Sequence, residues 1–295
     1  MRFWRVYTCL LFVFLSKLSA YSSNDTLQIK IAADSLFSKA KYYEAAIYYQ
    51  KLDFFLQGEL LKNEAKLLTA ASYKFAKNYT AGIDCLNTIN LDGAADSLIY
   101  KVKYQCALMS YLNNDLIQAE AFLQQLNYLV KDSSYIASST LLNVVVLNEQ
   151  YKWQQAKEKL NAFAKTDSSS NTKLFEHKKQ IIDSIYSAKF IPKLKSVEKA
   201  SKMSTFFPGL GQCYAKNYGE GISSFLAITV TAGAMVAGII YQYYFTSIFV
   251  GNLLIGKFYL GGIKRAEFLT EKYNYKKSKK YNTFLKDQIK QNLIN

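Results

Sequence analysis

Leu116-Ile-Gln-Ala119-Glu-Ala-Phe-Leu123-Gln-Gln-Leu126 is one of four segments that superimpose at a spacing of 37 residues. Its companions are Tyr42-Tyr-Glu-Ala45-Ala-Ile-Tyr-Tyr49-Gln-Lys-Leu52, Tyr79-Thr-Ala-Gly82-Ile-Asp-Cys-Leu86-Asn-Thr-Ile89 and Trp153-Gln-Gln-Ala156-Lys-Glu-Lys-Leu160-Asn-Ala-Phe163. In each, a large side chain is followed by a small one, then by two more large ones, at the 3–4 spacing of a single helical face. Four positions that keep their size class through four cycles mark stacked units that cannot bury their apolar faces alone.

Each unit reads as two helices. In the third, Tyr104, Ala107, Leu108 and Tyr111 give the first helix one apolar face, and Asn113-Asn114-Asp115 breaks it. Asp115 is an N-cap for the second helix, which runs to about Val130. Lys41, Asn78 and Lys152 mark the same turn in the other units. The small-then-large pairs Ala45 with Tyr49, Gly82 with Leu86, Ala119 with Leu123 and Ala156 with Leu160 resemble those of tetratricopeptide repeats. Ala33, Ala70 and Ala107 add small residues to the first helices, where the fourth unit has Val144. The resemblance implies an all-α, tetratricopeptide-like α-α solenoid of about four hairpins over residues 21–165. It departs from the family in its longer unit and in lacking the terminal proline of each repeat. After a polar linker at 165–171, Phe175, Ile182, Ile185 and Tyr186 read as an amphipathic capping helix ended by Pro192, completing a region at 166–203.

The chain has 295 residues, two prolines, many aromatics and a formal charge of +15, which fits a packed helical protein better than a disordered one. Arg2 and Arg5, the apolar run from Val6 to Leu15 and the small residues Ser19 and Ala20 read as a signal peptide over residues 1–20. The remaining cysteines, Cys85, Cys106 and Cys213, match no metal motif. Cys85 and Cys106 fit either a disulfide between adjacent units or unlinked core thiols.

The basic charge flanks an uncharged stretch. Eight lysines against three acids lie between Lys173 and Lys202, and nine Lys/Arg against three acids between Lys264 and Asn295. Between Glu220 and Lys257 there are 36 residues without a charge. Ile222 to Tyr244 is long enough for one membrane span, and Phe245 to Ile263 for a second interrupted only by Lys257. One span with an interfacial second segment is the alternative. Ala234, Gly238, Gly251 and Gly256 permit close helix contact. The tail at 264–295, with Leu269, Tyr273, Tyr281, Phe284, Leu285 and Ile289 beside its lysines, reads as a basic amphipathic helix on anionic headgroups or as a solvated helix. No nucleic-acid motif accompanies the lysines.

Between these regions, Pro208-Gly209-Leu210-Gly211-Gln212, Tyr214, Gly219 and Gly221 resemble a group of small bacterial membrane domains marked by Pro-Gly-Leu-Gly-Gln. Gly261 and Gly262, with Ala266 and Lys272-Tyr-Asn274, resemble that group's distal end. The resemblance implies a membrane domain at 204–263 with the glycines forming a tight turn, and it brings no activity with it. Gly209-Leu-Gly211 lacks the third glycine and following Lys-Ser/Thr of a phosphate loop. The sole histidine, His177, lies in a charged stretch, so no Ser-His-Asp triad or multi-histidine metal site can be assembled, and the acids form no recognisable catalytic pair, leaving an enzyme only through distant carboxylates that the fold brings together. The sequence therefore predicts a non-enzymatic, cofactor-free scaffold of a bacterial cell membrane. Its exported, periplasmic repeat domain binds a protein or peptide, and its membrane hairpin meets lipid but neither nucleic acid nor small-molecule substrate. A pore or transporter subunit is the alternative.

Overall fold

The computed structural model describes residues 23–167 and 172–294, where every regular element is helical and no strand occurs. The export signal expected over residues 1–20 lies outside the described residues. The chain divides into two compact units, Met1–Ser169 and Ser170–Asn295.

The first unit is built from four successive helix pairs: α1 (Ser23–Ser38) with α2 (Tyr42–Phe55), α3 (Glu59–Phe75) with α4 (Tyr79–Asn87), α5 (Asp96–Leu112) with α6 (Leu116–Leu129), and α7 (Ser133–Glu149) with α8 (Trp153–Asp167). Consecutive helices pack on one another along the whole series. The turn inside each pair is the same. Ala40, Lys77, Asn114 and Tyr151 all take positive φ, between 58° and 63°. The following amide, that of Lys41, Asn78, Asp115 or Lys152, donates to the carbonyl five residues back, at Leu36, Tyr73, Ser110 or Leu147. That pattern satisfies carbonyls orphaned at a helix end. The left-handed residue costs about 1–2 kcal/mol when it is not glycine, so the turn is retained through what it positions.

What it positions is the small residue. Ala45, Gly82, Ala119 and Ala156 each donate to the carbonyl of the residue four earlier, at the start of the second helix. Each is buried, as are Ala33, Ala70, Ala107 and Val144 of the preceding helices; Ala45 shares a core cluster with Ala33, and Ala119 with Ala107. A Cβ on Gly82 would meet the Met109 sulfur at 2.6 Å, which is why this copy holds glycine. The large partners Tyr49, Leu86, Leu123 and Leu160 are at most 2% exposed. A continuous core from Ala70 to Val146 links the middle pairs. Polar ties reinforce the joints: Asp96 accepts the Lys131 and Asp132 amides at 2.9 and 2.8 Å. Lys152 reaches back to Glu120 at 2.7 Å. Burial opposes the Glu120 charge, but the hydrogen bonds from Lys152 and Gln150 outweigh it and hold that carboxyl below its usual range. Cys85 and Cys106 are free thiols, and burial pushes them up to about 11 and about 12.

In the second unit, α9 (Thr172–Ile185), α10 (Val197–Phe206) and the short α11 (Leu210–Tyr214) precede two long helices, α12 (Tyr218–Ile240) and α13 (Tyr244–Ile289), and a π-helical turn (Lys290–Ile294). Both long helices are long and apolar enough to cross a membrane. The break between them falls at 241–243 rather than after Tyr244. Gly238 faces Ser247, Gly251 faces Met235 and Gly262 faces Ser224. Ala234 is exposed and Gly256 meets nothing, so only Gly238 and Gly251 of the four expected small residues serve the contact.

Two expectations change. The tail does not begin a separate helix at residue 264, because α13 continues through it for 46 residues, or about 69 Å. Nor is its apolar face free for headgroups. Leu269, Tyr281, Leu285 and Ile289 are buried, and Tyr281 donates to the Ile185 carbonyl at 2.7 Å. The helix expected to cap the repeats, α9, packs within this second unit against the π-helical turn, and ends at Ile185, ahead of Pro192.

Truncating Leu123 to alanine removes a fully buried side chain and should cost about 2–5 kcal/mol. Urea unfolding of the detergent-solubilised chain, followed through Trp153 emission, will show it as a lowered midpoint with unchanged slope.

Candidate functional site

The glycine segment folds as a knot at the base of the long hairpin. Gly209 has φ of 91°, an angle glycine adopts at little cost. A Cβ there would lie 2.1 Å from the Gly221 carbonyl oxygen, and one on Gly221 would lie 2.4 Å from the Cys213 sulfur. A side chain at Gly211 would strike the Ala200 carbonyl at 2.2 Å and Ala266 at 2.8 Å. The pentad is thus the place where α11 is pressed between α10, α12 and α13.

Gln212 is the polar centre. It is 1% exposed, donates through Nε2 to the Gly262 carbonyl at 2.9 Å, and accepts through Oε1 from Ser204 at 3.1 Å. The Ser204 hydroxyl in turn accepts the Gly211 amide at 3.1 Å. Every polar atom of this buried chain is paired, so it fixes the helices without leaving a cost. Around it, Lys195 donates to the Tyr214 carbonyl and lies 4.8 and 4.6 Å from the Tyr214 and Tyr273 ring centroids. Asn274 brackets the Lys195 backbone with two hydrogen bonds of 2.8 Å. Arg265 grips Glu220 through two bonds of 2.6 and 2.9 Å.

Of the nine turn residues read from the sequence, Gly209, Gly211, Gln212, Gly221 and Gly262 come together here. Tyr214 sits beside them under Lys195, and Pro208 leads in. Gly219 and Gly261 face open space and take no part. Ser204, Lys195, Glu220 and Arg265 were missed. No local signal marks those four, but the turn beside them had one: Ala215-Lys216-Asn217-Tyr218 repeats Ala76-Lys77-Asn78-Tyr79 letter for letter. The two segments fold alike. Lys216 and Gln242 share the positive φ of the repeat turns. The Asn217 and Tyr243 amides donate five residues back, and Gly221 and Ser247 occupy the small position four residues on.

The repeat unit offers clefts of two kinds. A largely apolar cavity of about 530 Å³ lies between α1, the end of α2 and α3, floored by Leu27, Leu52, Leu61 and Leu68 with Lys30 and Glu64 among its walls. Leu27 and Leu61 are about half exposed. Smaller cavities of about 420 and 250 Å³ recur two units apart, with Asp53, Lys66 and Thr69 in one and Asn127, Thr140 and Asn143 at the same register in the other, beside Ile136 and Phe163. His177 is exposed on α9. No family model, curated protein or solved structure matches this chain.

Because Gly211 and Gly261 differ in their surroundings, their alanine variants should part. Gly211→Ala should lower stability by about 1–3 kcal/mol through overpacking, whereas Gly261→Ala should be neutral or stabilising by up to about 1 kcal/mol. Thermal unfolding in detergent separates the two outcomes.

Proposed function

We propose that this chain is a non-enzymatic scaffold of a bacterial cell membrane, in which a tetratricopeptide-like stack holds a partner protein and the α12–α13 hairpin anchors it in the bilayer. The apolar cleft between α1 and α3 carries this reading. It places half-exposed leucines in a concavity of ligand-binding size, the chemistry that takes the apolar face of a partner helix or extended peptide. First helices supply most of its walls, the side from which a hairpin stack presents a groove.

The anchoring part draws on the second unit. α12 has no buried part in its apolar stretch, which lipid would cover. Thr229 and Thr231 donate to the Phe225 and Ala227 carbonyls of their own helix, and with Asn252 they make few polar groups to line a water-filled path. That favours an anchor over the pore or transporter subunit. The Glu220–Arg265 pair sets the start of α12 level with residue 265 of α13, which supports a two-span hairpin. Both basic flanks then share one face of the membrane. The leader at residues 1–20 assigns that face to the exported side, against the usual cytoplasmic bias of lysine.

A photo-crosslinking residue at Leu61 should capture a discrete protein partner in intact cells, and Leu27→Asp should abolish capture. Equal capture from the outward-facing Glu158 would overturn the groove. For sidedness, a cysteine at Lys276 should react with a membrane-impermeant maleimide before lysis. Reaction only after lysis would overturn the combination of an exported repeat unit with a two-span hairpin.

A further inference from the structure

The second unit also holds a cavity that the scaffold reading does not use. It measures about 570 Å³ and lies between the 188–193 segment and one face of α13. Lys189 and Lys193 enter its walls from the segment, Lys277 and Lys280 from the helix, and no carboxylate lines it. Among the described residues none of the four makes an ion pair. Lys189 and Lys277 instead lie 5.9 Å from the ring centroids of Phe190 and Tyr273.

The rest of the wall is aromatic and fixed. Phe284 packs with Phe190 at 5.7 Å and stacks on Tyr281 at 6.3 Å between centroids, and Tyr281 is pinned through its hydroxyl to the Ile185 carbonyl. Four unpaired like charges around one concavity repel each other and focus a positive potential into it. A multiply charged anion relieves that repulsion, and the rings offer a surface for a flat apolar body. The volume is that of a small-molecule site, within the usual range of about 300–1,000 Å³.

The cavity's height on α13 separates two sources of such an anion. Tyr273 lies nine residues beyond Lys264, which puts it about 14 Å past the end of the second apolar segment. The headgroup layer occupies only about 5–8 Å on each side of the hydrocarbon. With the anchoring proposed above, on which this step rests, the cavity opens to water above the headgroups. We propose that it binds a water-soluble organic phosphate bearing a flat aromatic group, held by Lys189, Lys193, Lys277 and Lys280 with Phe190 and Phe284 against its apolar part.

The test is equilibrium dialysis of radiolabelled ADP against the full chain in nanodiscs of neutral phosphatidylcholine. Saturable binding to one site is expected, weakened about tenfold or more by K277E/K280E, since charge reversal converts attraction into repulsion. K276E/K279E makes the same charge change on the same helix but outside the cavity, and should weaken binding no more than about threefold. Phe284→Ala should weaken ADP while leaving inorganic pyrophosphate, used as a competitor, unaffected. Non-saturable binding by the unaltered chain, or equal loss in the two double variants, would overturn the site. Displacement of ADP when phosphatidylserine is added to the nanodiscs would assign the cavity to a lipid headgroup and overturn the water-borne source.

Discussion

Two helices joined by a three-residue turn can lie against each other only if the chain leaves little bulk where they first touch. That constraint governs this molecule from Ala45 to Ser247. The left-handed residue ends one helix, the next amide closes back on it, and four residues later the second helix meets the first. At that point the chain carries alanine, glycine, alanine, alanine, glycine and serine in turn. Larger side chains would hold the backbones apart and leave the neighbouring Tyr49, Leu86, Leu123 and Leu160 without a partner surface.

The two units meet the constraint with different residues for a physical reason. In the repeat unit the small position is alanine in three pairs and Gly82 in the other, and a water-excluding core follows from the large side chains around it. In the second unit Gly209 faces Gly221, so backbone meets backbone. Close packing and the paired Gln212–Ser204 chain hold α10, α11, α12 and α13 there. The same turn thus recurs in the unit of helix pairs and in the unit whose two long helices are long and apolar enough to cross a membrane.

The repeat was legible because its signal is burial at a fixed period, and burial selects size class wherever it recurs. The turn was placed, at Lys41, Asn78, Asn113–Asp115 and Lys152, but its left-handed geometry was not, since Ala40, Lys77, Asn114 and Tyr151 share a backbone angle but no side-chain chemistry. Its reuse in the second unit hid behind the glycines, although the Ala-Lys-Asn-Tyr match was on view. Not every glycine carried the meaning read into it: Gly219 and Gly261 face space, and within a helix glycine alone does not distinguish contact from exposure. Glu220 and Arg265 were unreadable as a pair because 45 residues separate them. The tail misled in another way. Its lysines suggested a membrane surface, while Leu285 and Ile289 between them were already committed to the protein interior.

A side-chain size scan at residues 45, 82, 119, 156, 221 and 247 tests the shared constraint most directly, with folded full-length protein as the readout. Positions two residues further on, at 47, 84, 121, 158, 223 and 249, are all exposed and serve as controls on the same helices. The account predicts that leucine sharply reduces the folded yield at each of the first six and is tolerated at each of the second six. Leucine accepted at the first set as readily as at the second would contradict it.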